Sequence, residues 1–407
     1  MKSLIVIPTN VLYPESFSAP IVWLFSDHVD KVCGVYDWEL TPELIREHEY
    51  FIVELNWFLQ LAGFSNVINT IRQYNSGAKI LFGGLYAALQ YREVFARMQV
   101  DYFIKGDNEL PIKMFLDDAP IRSIPNLVGR DFENEHTYFF SSDDLKRIDY
   151  NLDWFPSSQR VHERLLNSPI DEMYANHSPI YPLPVVFTTK GGCLSSHAGC
   201  GYCLGGRHSK LRQMYGRDII TLDNETVIQL FKKIEKRFSA ATFFVLSPPD
   251  YDFSGHQFDL DIFIEFDSMA SVDQVAKIMK SFRSARAHVA LYTEGITGSS
   301  KRIDAKDFMN LEDSKHKIYF FGNTQDQEIP SDHLLYVNSV LPEWTNYNSY
   351  MNFETAMKMS EFLKPDPRLL DKPLVRAQLT DVFMKQMDPL LNQMARESLK
   401  TGEVYTN

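Results

Sequence analysis

Cysteine is scarce in this sequence, with four in 407 residues. So few thiols exclude a disulfide framework and point to a reducing compartment, the cytoplasm. Long hydrophobic runs are also missing. The apolar start, Met1 to Pro8, is too short for a signal peptide, and no segment reaches the roughly 20 apolar residues of a membrane span. Positive charge is in deficit: 41 Lys and Arg against 53 Asp and Glu give a net charge of -12. This balance argues against general affinity for nucleic acid or for anionic membranes. There is no internal repeat and no low-complexity stretch. The Gly-x-Gly-x-x-Gly turn is absent as well, which leaves a nicotinamide or flavin reading without its phosphate cradle.

Three of the four cysteines, Cys193, Cys200 and Cys203, fall within eleven residues. They follow the apolar run that begins at Pro184, after Gly191 and Gly192, with Gly199, Gly201, Gly205 and Gly206 close by. Thiolates are soft ligands that favour iron-sulfur clusters, zinc or copper(I), and a glycine-rich loop lets the backbone wrap such a centre. Three thiolates leave one metal position without a protein sulfur. The bland alternative is structural zinc: Cys200-x2-Cys203-x4-His208 has knuckle spacing, with Cys193 as the fourth ligand.

Along the chain, short apolar runs alternate with helical periodicity, the signature of an α/β protein with parallel strands and crossover helices. Strands are expected at Leu4 to Ile7, Val32 to Tyr36, Tyr50 to Leu55, Lys79 to Phe82 and Tyr102 to Lys105, with helices at Phe64 to Tyr74 and Tyr86 to Met98. Parallel sheets bind ligands at the carboxyl ends of their strands. Pro8 to Asn10, Asn56 and Trp57, Gly83 and Gly84, and Gly106 and Asp107 should therefore line one crevice. Acidic and proline-containing breakers follow, and alternation resumes at Pro184. Strands are expected at Thr242 to Leu246, Asp261 to Phe266, Ala287 to Tyr292 and Lys317 to Phe321, with helices at Val227 to Phe238 and Val272 to Phe282. Such a series implies a partial (β/α) barrel with its reactive groups at the strand carboxyl ends.

The stretches Ala78 to Gly84, Val100 to Glu109 and Ile124 to Arg130 resemble the cobalamin-binding domain that precedes the barrel in many radical SAM enzymes. The second half of the chain resembles the radical SAM superfamily itself. Cys200-Gly201-Tyr202-Cys203 matches the end of that family's cysteine motif, aromatic residue included, although six residues rather than three separate Cys193 from Cys200. Leu291 to Ser299, with Glu294 and Gly295, is similar to a segment near SAM in the family. The sequence departs from the pattern at Ser247-Pro248-Pro249-Asp250, where Gly-Gly-Glu is usual, and at Glu265, where relatives often carry Arg. The Asp-x-His-x-x-Gly cobalamin motif is absent.

This resemblance implies a Rossmann-like cobalamin-type domain at 1–120, a linker at 121–180, a radical SAM barrel at 181–345 and a helical region at 346–407. It implies a [4Fe-4S] cluster on Cys193, Cys200 and Cys203, with SAM held by Tyr202, Gly205, Ser247, Pro248, Glu294 and Gly295. Cobalamin would lie against Asn56, Trp57, Gly83, Gly84 and Gly106. The implied reaction is reductive cleavage of SAM to a 5'-deoxyadenosyl radical, followed by C-methylation or rearrangement of a small metabolite or peptide. Electrons would come from a flavodoxin or ferredoxin. Two alternatives stay open: a radical SAM enzyme without cobalamin whose first domain is vestigial, and a non-catalytic zinc-stabilised binding protein. Helices are expected at Trp344 to Met359 and Leu374 to Ser398, the latter with a Met and Leu stripe suited to covering the open side of the barrel.

Overall fold

The computed structural model describes residues 2–8, 24–56, 58–160, 184–190, 219–245, 251–266, 270–291, 303–322, 329–330, 333 and 352–362. Its first sheet is built on β1 (Ser3–Ile7), whose five residues are all buried, as the middle strand of a parallel sheet requires. β2 (Val32–Tyr36) and β3 (Tyr50–Glu54) flank it, and β4 (Lys79–Gly83) and β5 (Tyr102–Ile104) continue outward from β3, all parallel. An antiparallel hairpin, β6 (Leu127–Gly129) and β7 (Phe132–Glu133), extends the sheet, giving the order β2-β1-β3-β4-β5-β6-β7. This hairpin lies in the stretch read from sequence as a linker. Its strands are only three and two residues long, too short for alternation to mark them.

The connections are α1 (Pro42–Arg46), α2 (Leu61–Tyr74), α3 (Leu85–Arg97) and α4 (Glu109–Leu116), followed by α5 (Ser142–Arg147). α1 starts as its sequence demands, with Pro42 in the first turn and Thr41 Oγ1 accepting from Leu44 N at 3.2 Å. In α2 the spacing of Leu61, Phe64, Val67, Ile68 and Ile71 forms the buried stripe. That stripe meets Phe51, Val53 and Phe82 on one face of the sheet. The opposite face, with Ile5, Ile52 and Leu81, belongs to a core that runs through Trp154 and Phe155 into the second half of the chain. Gly34 permits this join: a Cβ there would lie 2.6 Å from the Trp154 ring, and Gly34 N donates to Trp154 O at 2.7 Å.

The second sheet has the order β14-β13-β12-β11-β8 and is parallel throughout. Its strands are β8 (Val185–Phe187), β11 (Ala240–Val245), β12 (Phe258–Phe266), β13 (Phe282–Leu291) and β14 (Lys317–Gly322). A separate antiparallel pair is formed by β9 (Thr189–Lys190) and β10 (Ile220–Thr221). Helices α6 (Asn224–Ile234), α7 (Val272–Met279) and α8 (Ala305–Met309) start on side-chain caps from Asp223, Ser271 and Asp304. Phe231 of α6 anchors the layer, with ring centroids 5.1 Å from Phe243, 5.2 Å from Phe258 and 5.0 Å from Phe282. Truncating an aromatic buried in this way costs about 3–5 kcal/mol.

Several boundaries differ from expectation, among them the helix expected at Val227 to Phe238, which is Asn224–Ile234, and the strand expected from Ala287, which starts at Phe282. The helix expected through Phe282 ends at Met279, and β13 starts at Phe282, because Phe282 pairs with Phe258 and Phe258 N donates to Ser281 O at 2.8 Å. Tertiary pairing overrides the helical periodicity there. Near the C-terminus, α9 (Phe353–Phe362) lies within the expected helical region but starts nine residues after Trp344. It packs on α2 of the first domain: Ser360 Oγ accepts from Ala62 N at 3.0 Å, and Arg97 stacks over Phe353. The stripe expected from Leu374 to Ser398 lies outside the described residues. Among the described residues no helix is long and apolar enough to cross a membrane.

Candidate functional site

In the first sheet the strand order reverses beside β1, since β2 lies on one side and β3 on the other. Ligands of doubly wound sheets lie at this switch point, outside the carboxyl ends of the strands. β1 ends there at Pro8, and β3 ends in Glu54, followed by Leu55 and Asn56. Gln60, in the short turn after β3, ties the two exits together: its Nε2 donates to Pro8 O at 2.9 Å, and its Oε1 accepts from Asn56 N at 2.8 Å. Asn56 Nδ2 in turn donates to Glu54 Oε1.

Glu54 is fully buried, and its second oxygen, Oε2, has no hydrogen-bond partner among the described residues. Burial pushes its carboxyl up to about 8, outweighing the Asn56 and Gln60 amides that favour the charged form. At neutral pH the group therefore carries a proton. Alternation along β3 puts Glu54 on the same face as Ile52, the face whose core continues into the second domain. Sequence reasoning passed over Glu54 and Gln60. The available signal was a single acid at the end of the apolar run Tyr50-Phe51-Ile52-Val53.

Three residues expected in the crevice, Asn56, Gly83 and Gly84, come together here. Gly83 lies opposite Glu54 in the β3–β4 register, and a Cβ on it would meet nothing within 4 Å, so the space above it is open. Gly84 has a different task. Its φ of 122° and the 2.6 Å that would separate its Cβ from Leu55 O and from Asn56 Oδ1 make it a close crossing of backbone. The first amides of α3 are consumed at this crossing, because Tyr86 N donates to Asn56 O at 3.2 Å and Ala87 N to Leu55 O at 2.9 Å. Gly106, with φ 88°, ends β5 farther along the same edge, beside Asp107, whose Oδ2 accepts from Phe140 N at 2.9 Å. An orphaned buried donor and an open glycine fit a ligand such as cobalamin over the β1, β3 and β4 exits.

In the second sheet, side-chain alternation separates a helix-covered face from an inner one. Ile262, Ile264 and Phe266 of β12 join the helix core, so Phe263 and Glu265 lie on the inner face. The strand registers align one row across the sheet at positions Phe187, Phe244, Glu265, His288 and Tyr319. Phe187 and Phe244 stack at 4.9 Å and 8°, and Arg286 Nη1 donates to Tyr319 Oη at 3.4 Å. Glu265 is partly buried, and desolvation pushes its carboxyl up to about 8.

The described residues on either side of the cysteine segment meet beside the end of β8. Lys190 pairs with Ile220 and Thr189 with Thr221, while Leu222 N donates to Thr188 O at 2.8 Å. Tyr251 Oη then holds Leu222 O at 2.7 Å. Cys193, Cys200, Cys203, Tyr202, Gly205, Ser247, Pro248, Glu294, Gly295 and Trp57 lie outside the described residues. Among the described residues, Cys33 is a free, partly buried thiol whose pKa is raised by burial, the setting of an inert structural cysteine.

No family model matches the sequence, and no curated protein matches it. Solved structures do. The cobalamin-dependent S-adenosylmethionine radical enzyme OxsB with aqua-cobalamin bound is 9% identical, with 93% of this chain and 56% of that chain covered at a TM-score of 0.52. The same enzyme with S-adenosylmethionine also bound gives 9%, 95%, 62% and 0.51. TsrM from Kitasatospora setae, a radical S-adenosylmethionine methyltransferase with cobalamin and a [4Fe-4S] cluster bound, is 12% identical, covering 79% and 70% at 0.48. The present chain thus spans about three fifths of the length of OxsB and shares its α/β fold.

Proposed function

We propose that this chain is a radical SAM enzyme in which Cys193, Cys200 and Cys203 hold a [4Fe-4S] cluster and the switch-point crevice of the first sheet seats cobalamin. The observation that carries the reading is where the residues flanking the cysteine segment lie. They pair as β9 and β10 next to the end of β8, at the carboxyl edge of a parallel sheet, in a chain whose fold is shared with a SAM- and cobalamin-bound enzyme. The donor set suits the cluster, since three thiolates leave one iron open to a ligand with amino and carboxylate groups.

When bound, the cluster supplies the electron that cleaves SAM, and cobalamin supplies a transferable methyl group. The chain's own residues bind, orient and exclude water. Tyr202, Gly205, Ser247, Pro248, Glu294 and Gly295 are the residues proposed to hold SAM. Asn56, Trp57, Gly83, Gly84 and Gly106 are proposed to border the corrin. The stacked Phe187 and Phe244 wall off one side of the inner face, which keeps water from a reactive radical. The proposed substrate is a small metabolite or peptide, and the proposed electron donor is a flavodoxin or ferredoxin.

The test is anaerobic purification with iron reconstitution, followed by reduction in the presence of SAM. A brown protein with matched iron and sulfide that yields 5'-deoxyadenosine is the expected result, and Cys203→Ala should abolish both colour and product. A colourless protein holding one zinc would overturn the reading, as would full SAM cleavage by Cys203→Ala.

A further inference from the structure

The first sheet spends a carboxyl where packing alone would favour a leucine. Glu54 is fully enclosed at the switch point, one oxygen is held by Asn56, and the other meets no partner among the described residues. An unsatisfied buried polar atom costs about 1–3 kcal/mol, so its retention calls for a partner outside the chain. The position narrows the partner, since Oε2 belongs to the exit of the strand beside β1, opposite the open Gly83.

We infer that Glu54, through the proton on Oε2, donates a hydrogen bond to an acceptor group of the corrinoid seated in this crevice. The inference rests on the cobalamin reading above and assigns the residue that grips that ligand. The acceptor is a phosphodiester or amide oxygen, because a neutral carboxyl donor suits an oxygen that is anionic or carbonyl and offers nothing to a cation. The surroundings keep the proton in place. Among the described residues, the groups facing Glu54 are the Asn56 and Gln60 amides, the Pro8 carbonyl that Gln60 holds, and the backbone at Gly83, and no charged side chain of these contributes to its titration. Loss of that proton would turn the donor into a buried anion facing an oxygen, so ligand binding should weaken as pH rises through about 8.

The experiment measures binding of hydroxocobalamin and of cobinamide, which lacks the nucleotide tail, to the full chain by absorbance titration at roughly pH 6.5 to 9.5. Wild type should weaken toward the alkaline end. Glu54→Gln keeps a donor, and should bind within about threefold of wild type at neutral pH without the alkaline loss. Glu54→Leu should bind at least about tenfold more weakly, the equivalent of one hydrogen bond. A loss confined to cobalamin puts the acceptor on the tail phosphodiester, and a loss shared by cobinamide puts it on a corrin amide. If Glu54→Leu does not fold, wild type against Glu54→Gln across pH decides. Equal affinity of the variants, or a flat wild-type profile, overturns the assignment while leaving the cobalamin reading intact. Wild type that binds neither corrinoid at any pH overturns both.

Discussion

Each sheet has a glutamate at or beside the end of a central strand, and the two are kept differently. Glu54 closes β3 with no exposure and a relay of amides running through Asn56 and Gln60 to the end of β1. Glu265 stands one residue before the end of β12, partly buried, and no hydrogen bond to its carboxyl is found among the described residues. Burial raises both to about 8. A carboxyl that is fixed by neighbours and sealed from water is a built contact for a ligand of fixed pose. A carboxyl on an inner face, in register with Phe244 and His288, has no such fixed hold among the described residues. On the proposed function, the first sheet would be the cofactor shelf and the second the reaction chamber.

The largest expected effect tests how dry the shelf is. In the unfolded chain Glu54 ionises near its ordinary 4.5, whereas in the fold it holds its proton to about 8. Between those values the native state binds more protons than the unfolded one, so stability falls as pH rises from 4.5 through 8 and then levels off. Glu54→Gln removes this loss. The variant should match wild type near pH 4.5 and exceed it by on the order of 3–5 kcal/mol above pH 8, measured by urea unfolding without corrinoid. A gain on removing a functional group is the usual signature of stability given up for a site. Equal stability of the two proteins at pH 8 would show that water reaches Glu54.

Glu265→Gln makes the same change in the second sheet and should give the same sign. Desolvation raises its carboxyl to the same value, so the gain above pH 8 should again be on the order of 3–5 kcal/mol. The same urea titration measures it. A gain well below that of Glu54→Gln would show that water reaches the partly exposed residue.

Much of this frame was legible in the sequence because its signals are local. The apolar runs of β1, β2, β3, β4 and β5 and the stripe of α2 gave the alternation and the crevice at Asn56, Gly83 and Gly84. What stayed hidden depends on distant partners. Phe282 reads as the end of a helix until Phe258 pairs with it. The need for a glycine at position 84 shows only when the Leu55 carbonyl is found 2.6 Å from where its Cβ would be. Glu54 is a lone acid in an apolar run, and only its zero exposure and its amide relay make it a site residue. Glu265 stood out as a departure from the radical SAM pattern, but its row mates Phe187, Phe244 and Tyr319 come from three other strands, which no local pattern links.

The smallest effect concerns how the shelf is backed. α9, nearly 300 residues away in sequence from α2, reaches the first domain behind the Gln60 turn, where Ser360 Oγ accepts from Ala62 N and donates to Met357 O at 3.0 Å. Ala62 N is one of the first amides of α2, a position with no intrahelical acceptor, and the surroundings are buried. Ser360→Ala leaves that amide unpaired and should cost about 1 kcal/mol, near the value of a lost helix cap. Because α2 begins directly after Gln60, the loss should also loosen the relay that holds Asn56. Amide hydrogen exchange should then quicken at Asn56 and Ala62 in Ser360→Ala and stay unchanged along β12 and β13. A change that spread equally into the second sheet would mean that shelf and chamber unfold as one unit, and the division drawn between them would be one of geometry alone.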